Sequence, residues 1–239
     1  MSSSAWQKAR GSGTTGETAC PTTKDQPFTN TVGQAFSLSG LLPRAASSQP
    51  KVCATNFCVG LDLGQKRDHT AIAVVERLKG RLMVIHLERV ALGTSYPDIV
   101  ARLRELVRSD VLQGRCAVVV DATGVGAPVV DLMQAAGLGC EVTAVTITSG
   151  ERESWHAPVW SVPKRKLIAG VQVALERGQL RIARRMREVG ALMRELVDVR
   201  MTTGRGAGRV RIGADGYGEH DDLVIALALA CWRAKKPLL

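Results

Sequence analysis

No apolar run approaches the ~20 residues that a membrane-spanning helix needs, and the opening MSSSAWQKAR lacks the apolar core of a signal peptide. Both absences point to a cytoplasmic protein with no membrane partner. The six cysteines, at 20, 53, 58, 116, 140 and 231, form no Cys-x-x-Cys pair. Cys53 and Cys58 have no His or Cys neighbours to complete a zinc site. Cys116, Cys140 and Cys231 lie inside apolar runs, as small core residues of a reducing compartment do. A Gly-x-x-x-x-Gly-Lys-[Ser/Thr] loop is also missing, so the sequence carries no P-loop motor. A Gly-x-Gly-x-x-Gly pattern does occur at residues 11–16, but no strand precedes it and no helix follows, which makes it a chance match. Acid is scarce beside base: 22 Asp and Glu stand against 32 Lys and Arg, for a net charge of +10. The excess gathers between residues 152 and 211, where bases outnumber acids by more than two to one. Such a cluster is either a solvated face or the footprint of a polyanion.

What is present divides into a tail and a domain. Residues 1–50 are rich in Ser, Thr, Gly and Pro without a sustained period, the signature of a disordered tail. Residues 51–239 read as one α/β domain. An apolar run at 57–61 ends on Asp62, turns through a second acid, Asp68, and returns as an apolar run at 70–75. With a third run at 81–87 after Lys79-Gly80, this predicts an antiparallel meander. A helical period follows at 95–108, then a wholly apolar strand at 116–120 that ends on Asp121. A helix at 128–136 and a strand at 141–147 come next; the crossover makes these two strands parallel. The expected sheet is therefore mixed and five-stranded, flanked by helices. Residues 148–162 read as a polar loop whose Trp155 and Trp160 either stack on bases or anchor the loop. Helices are expected at 164–177, burying Leu167, Val171, Ala174 and Leu175, and at 186–197, burying Val189, Leu192, Met193 and Leu196. Short runs at 198–202 and 209–212 predict a small basic hairpin, and a last helix presents Leu223, Ala226, Leu227, Ala230 and Cys231 on one face.

Three acids end apolar elements: Asp62 and Asp121 close strands, and Asp221 or Asp222 opens the last helix. Singly, each is explained as a turn or N-cap residue. If the two strands are neighbours their ends lie ~4.8 Å apart, and the helix start can bring a third carboxylate over that edge. Several carboxylate oxygens suit Mg2+ or Mn2+ rather than zinc. Two such ions ~3.5–4 Å apart support in-line hydrolysis of a phosphodiester. Asp68 is either a fourth ligand or a turn residue. His220 either orients an acid or phosphate, or is an exposed helix-end residue. For contact with DNA phosphates, the clustered bases to consider are Lys164, Arg165 and Lys166, and Arg205, Arg209 and Arg211 in the basic hairpin.

Four stretches in order, GLDLGQKRDHTAIAVVE, VVVDATGVGAPVVDLM, VPKRKLIAGVQVALERGQLRIA and GEHDDLVIALALACW, resemble the nuclease domain of tailed-phage large terminase subunits over residues 57–234. That domain is ribonuclease H-like. The resemblance implies a two-metal endonuclease acting on double-stranded DNA, with Asp62, Asp121 and Asp222 as catalytic metal ligands. Asp221 and Asp68 are further candidates, and Lys164 is placed near the substrate. It also implies viral DNA packaging or processing, with a separate ATPase motor subunit and portal as partners, since the motor motif is absent here. A Holliday-junction-resolvase-like nuclease is the near alternative. An actin-like or sugar-kinase-type ATPase shares the strand, Asp62-Leu63-Gly64, Thr70 pattern, and a catalytically inactive DNA-binding remnant keeps the basic face alone.

Overall fold

Val and Ile crowd the apolar runs, and β-branched side chains suit a pleated sheet covered on both faces. The computed structural model describes residues 56–64, 68–124, 126–203, 210–213 and 220–236; at 126–127, 200–203 and 210–213 only the backbone is described. Residues 1–50, expected as a tail, lie outside the described residues, as do Arg205 and Arg209. The first strands are β1 (Phe57–Asp62), β2 (Ala71–Leu78) and β3 (Arg81–Arg89). Each pairs antiparallel with the next, which is the expected meander. Lys79 and Gly80 carry φ of 48° and 77°, the left-handed pair that lets a two-residue turn follow the strands' twist.

Helix α1 (Tyr96–Val107) starts at Ser95, whose hydroxyl accepts the Asp98 N–H. Strand β4 (Cys116–Asp121), helix α2 (Gly126–Ala135) and strand β5 (Glu141–Thr148) follow. β4 runs parallel to β1 and β5 parallel to β4, as crossover helices demand. Five strands in the order β3-β2-β1-β4-β5 thus form the anticipated mixed sheet.

Three short strands extend it to eight. Where a loop is expected at 148–162, β6 (Ser154–His156) and β7 (Val159–Pro163) form a hairpin, with β7 parallel to β5. Strands this short at an edge have too few residues for a period to emerge. Trp160 anchors the hairpin. It packs edge-on against Trp232, with ring centroids 5.7 Å apart, under the Lys236 ammonium at 4.6 Å. Trp155 stays half exposed beside it. β8 (Leu180–Ile182) pairs with β3, giving the order β6-β7-β5-β4-β1-β2-β3-β8. β9 (Arg200–Thr203) and β10 (Val210–Gly213) form a separate antiparallel pair at the place of the predicted basic hairpin.

Helices α3 (Lys164–Glu176), α4 (Val189–Asp198) and α5 (Asp222–Ala234) complete the chain. Leu175 and Met193, expected inside, are exposed, because each lies at the rim of its helix's apolar stripe. Every residue of α5 is buried. It lies on the sheet face lined by Cys58, Ala71, Ala73, Val75 and Val119, with α3 and α4 packed around it. A register shift in the β2–β3 pairing leaves Ile85 without a partner, and this bulge keeps Leu82, Val84 and Leu87 together on that same face. On β3's other side, Glu88 binds Arg102 of α1 at 3.0 Å and the His86 ring at 2.9 Å, clipping α1 to the sheet.

The closest approach is at Gly60. A Cβ there would fall 1.9 Å from the Ala226 carbonyl oxygen and 2.7 Å from the Ala230 nitrogen, both backbone atoms of α5. Gly60→Ala must push the helix off the strand, and such overpacking costs about 3 kcal/mol. We expect a clear drop in the urea midpoint of that variant, or loss of soluble protein; an unchanged midpoint would contradict the contact. Glu88 supplies a pH test. Burial alone would raise its pKa, but hydrogen bonds from His86 and Arg102 outweigh that and hold it at about 2, below its ordinary 4.5. Its stabilising effect is therefore full above pH 4.5 and fades as pH falls towards 2. With allowance for the half-exposed Arg102, Glu88→Gln should lose about 1 kcal/mol at pH 7. Urea titrations at pH 7 and pH 2.5 should show that difference shrinking.

Candidate active site

Asp62 and Asp121 are the last residues of β1 and β4. The register pairs Leu61 with Val120, so the two acids come next, side by side at the carboxyl edge of parallel strands. Side chains alternate along a strand. Asp62 therefore shares a face with Gly60, and Asp121 with Val119, which is the face that α5 covers. Beyond β4 the backbone turns at once. The Thr123 N–H donates to Asp121 Oδ1 at 2.8 Å, and the Thr123 hydroxyl accepts the Ile147 N–H at 2.7 Å. This Asp–Thr turn aims one carboxylate and ties the loop to β5.

Helix α5 brings the third acid. Asp222, its first residue, is buried, and Oδ2 has no hydrogen-bond partner. His220 Nδ1 stands 3.7 Å from that oxygen, and its ring meets the His69 ring edge-on at 5.7 Å. His69 Nδ1 lies 3.1 Å from the Val90 carbonyl oxygen and, as the N–H tautomer, donates to it. Asp221 is the N-cap position but makes no capping bond; its carboxylate takes the Lys164 ammonium at 2.5 Å. Asp68 is exposed at the β1–β2 turn, where its charge still acts on Asp222.

The carboxyls of Asp62, Asp121 and Asp222 each respond to burial and to their neighbours' charge. Burial pushes the Asp62 carboxyl well above the ordinary range; Asp121, Asp222 and Asp221 push it further, and Lys164 opposes them. Burial raises Asp121 as well, against hydrogen bonds from Thr123. Burial raises Asp222, with His220 and Arg89 opposing. Carboxylates held together without compensating charge are costly.

The predicted basic residues divide. Lys164 reaches the acids. Arg165 is exposed on α3, and Lys166 is exposed there too with its ammonium on Glu153 at 2.5 Å. Arg211 lies in β10, where only the backbone is described, and Arg205 and Arg209 lie outside the described residues. Two residues beside the site were not anticipated. Glu195 accepts the Val224 N–H of α5 at 2.9 Å, and Arg89 binds Glu195. A signal existed for Glu195, which sits in the apolar stripe of α4 with Leu192, Leu196 and Val199.

Among the described residues, no three His, Cys, Asp or Glu side chains already stand close enough to hold an ion. The donor set nonetheless fits a hard divalent cation. It is all carboxylate, it converges on one edge, and one buried oxygen is unsatisfied.

Comparison with known proteins identifies relatives of this fold. The large terminase nuclease of thermophilic phage G20c, crystallised with bound magnesium, is similar at 28% identity and TM-score 0.57, over 74% of this chain and 80% of that one. The large terminase nuclease domain of Thermus phage P74-26 is similar at 26% identity and TM-score 0.54, over 73% and 77%. The large terminase of another thermophilic bacteriophage, 13% identical at TM-score 0.54, shares the fold over 74% of this chain and 39% of its own length. No curated protein sequence matches this chain. Among the described residues, no helix is long and apolar enough to cross a membrane. A family model, the terminase RNaseH-like domain, matches residues 59–233, and the chain belongs to that family.

Proposed function

We propose that the chain is a metal-dependent endonuclease that hydrolyses DNA phosphodiester bonds by a two-metal mechanism, in viral DNA packaging or processing. The observation that carries this reading is the convergence of Asp62, Asp121 and Asp222 on one sheet edge, with an orphaned carboxylate oxygen on Asp222. Family membership and the similarity to a nuclease crystallised with magnesium support it. Asp62, Asp121 and Asp222 would hold Mg2+ or Mn2+, with Asp221 and Asp68 at the margin. When bound, the ions supply the charge that activates water and stabilises the leaving oxygen. Asp121 is aimed for this by the Thr123 N–H, and Asp222 by its place at the start of a buried helix. Lys164 holds a cation at the rim, where a phosphate of the substrate strand competes with Asp221 for it. Arg165 and Lys166 extend positive charge along α3 for the backbone of double-stranded DNA, and Arg205, Arg209 and Arg211 are proposed to do so from the hairpin. A separate ATPase motor and the portal are the proposed partners. The actin-like ATPase alternative loses its basis with the family match.

Plasmid DNA should be nicked and linearised in Mn2+ or Mg2+, and EDTA should stop it. Losing even an outer partner of a metal ligand typically costs 10–100-fold, so Asp62→Asn should slow cleavage by at least about 100-fold. Absence of cutting with either metal, or full activity in that variant, removes the reading. Salt-sensitive binding without cutting selects the inactive remnant, and preference for four-way junctions over linear duplex selects the resolvase-like alternative. A second outcome follows from charge repulsion. A carboxylate whose pKa is raised on folding destabilises the protein at every pH above its ordinary, unfolded value. In EDTA at pH 7, Asp62→Asn should therefore melt higher than the unaltered protein, by roughly 2–4 °C per kcal/mol gained. Mn2+ should raise the melting temperature of the unaltered protein and leave the variant's unchanged.

A further inference from the structure

Glu195 is a charge placed where α4 should be apolar. It stands with Leu192, Leu196 and Val199 at helical spacing, and those neighbours are buried or packed on the core. Its carboxylate is 5% exposed. Oε2 accepts the Val224 N–H at 2.9 Å, and Oε1 takes a hydrogen bond from the Arg89 guanidinium. Val224 is the third residue of α5, so its N–H is one of the donors that a helix's first turn leaves free. Helices usually satisfy that donor with the side chain at the N-cap. Here Asp221 makes no such bond, because its carboxylate is turned to Lys164. Had Asp221 capped α5, an acid of the site would point at the helix's own backbone. Arg89 comes from the same edge: it lies opposite Ala71, which in turn lies opposite Asp62.

We propose that Glu195 and Arg89 are positioning residues that cap and clamp the first turn of α5 from outside, so that neither the Asp221 nor the Asp222 carboxylate is needed for capping. This rests on the reading of Asp222 as a metal ligand. The arrangement is costly, as a role in packing alone would not require. Burial pushes the Glu195 carboxyl up to about 7, against hydrogen bonding from Val224 and the charge of Arg89. An apolar residue would complete the stripe on α4 without that cost.

The test measures Mn2+ binding by the full chain without DNA, from the free-ion signal in electron paramagnetic resonance. Cleavage and melting temperature are recorded in parallel. For Arg89→Met, charge alone and clamping predict opposite signs. Removing a nearby cation, as in Arg89→Met, should tighten Mn2+ binding if only charge matters. The clamp requires that Arg89→Met and Glu195→Gln both weaken it, about tenfold, with Glu195→Ala at least as weak. The Mn2+ needed for half-maximal cleavage should rise in step. Equal or tighter binding in Arg89→Met, or unchanged binding in Glu195→Gln, overturns the proposal even if both melt lower. Should Arg89→Met fail to fold, Arg89→Lys keeps the charge but loses the guanidinium nitrogen that reaches Glu195 Oε1, so weakening of several-fold supports the clamp and unchanged affinity overturns it. If the unaltered protein binds Mn2+ but does not cut DNA, the nuclease reading fails while these affinities still decide the clamp. If it binds no Mn2+, both fall.

Discussion

Helix α5 and strand β1 touch backbone to backbone, and only a residue without a side chain fits between them. Gly60 is that residue, two positions before Asp62 on the same face. The contact sets how low α5 rides on the sheet and therefore how near Asp222 comes to Asp62 and Asp121. Much of the rest serves to hold the helix there. At its far end Arg233 binds Glu141 at 2.6 Å, and Arg77 donates to the Ala234 carbonyl oxygen at 3.3 Å. At its near end Glu195 takes the Val224 N–H. α3 and α4 close over it, so a helix apolar on all sides is buried on all sides.

The edge so formed holds unfavourable charge. Four carboxyls act on one another, and burial together with mutual repulsion keeps Asp62 reluctant to ionise. Lys164, His220 and Arg89 offset part of this. Protein stability is small beside such terms, so groups of this kind persist where the surrounding fold over-determines them. Here the apolar parts are the strands and the buried helix, and the charged part is their common rim. That division is the ordinary arrangement of a site on a scaffold, with charges carried at the carboxyl ends of strands and the core kept apolar behind them.

Much of this was legible one element at a time. The apolar runs at 57–61 and 116–120, each ending on an acid, marked β1 and β4 because a fully buried strand admits a charge only at its tip. The helical period from Leu223 to Cys231 marked α5. The β6–β7 hairpin was not legible, since three to five half-exposed residues carry no period and their order comes from Trp160 packing on Trp232. Nor was Met193's exposure, which depends on how far α4 is rotated against the core. Arg89 lies beyond the apolar run at 81–87; its tie to Glu195 joins residues 106 positions apart, beyond any local pattern.

By itself the sequence determined the kinds of element, their order, and the rule that acids fall where apolar runs stop. Local sterics and solvation enforce these, and both act over a few residues. Only the tertiary structure decided which acids meet. Strand pairing set Asp62 beside Asp121, the missing side chain at Gly60 let α5 descend, and Glu195 accepts the Val224 N–H that Asp221 leaves uncapped. Each of these is a contact between distant segments, made in a dense interior where one atom too many moves a helix.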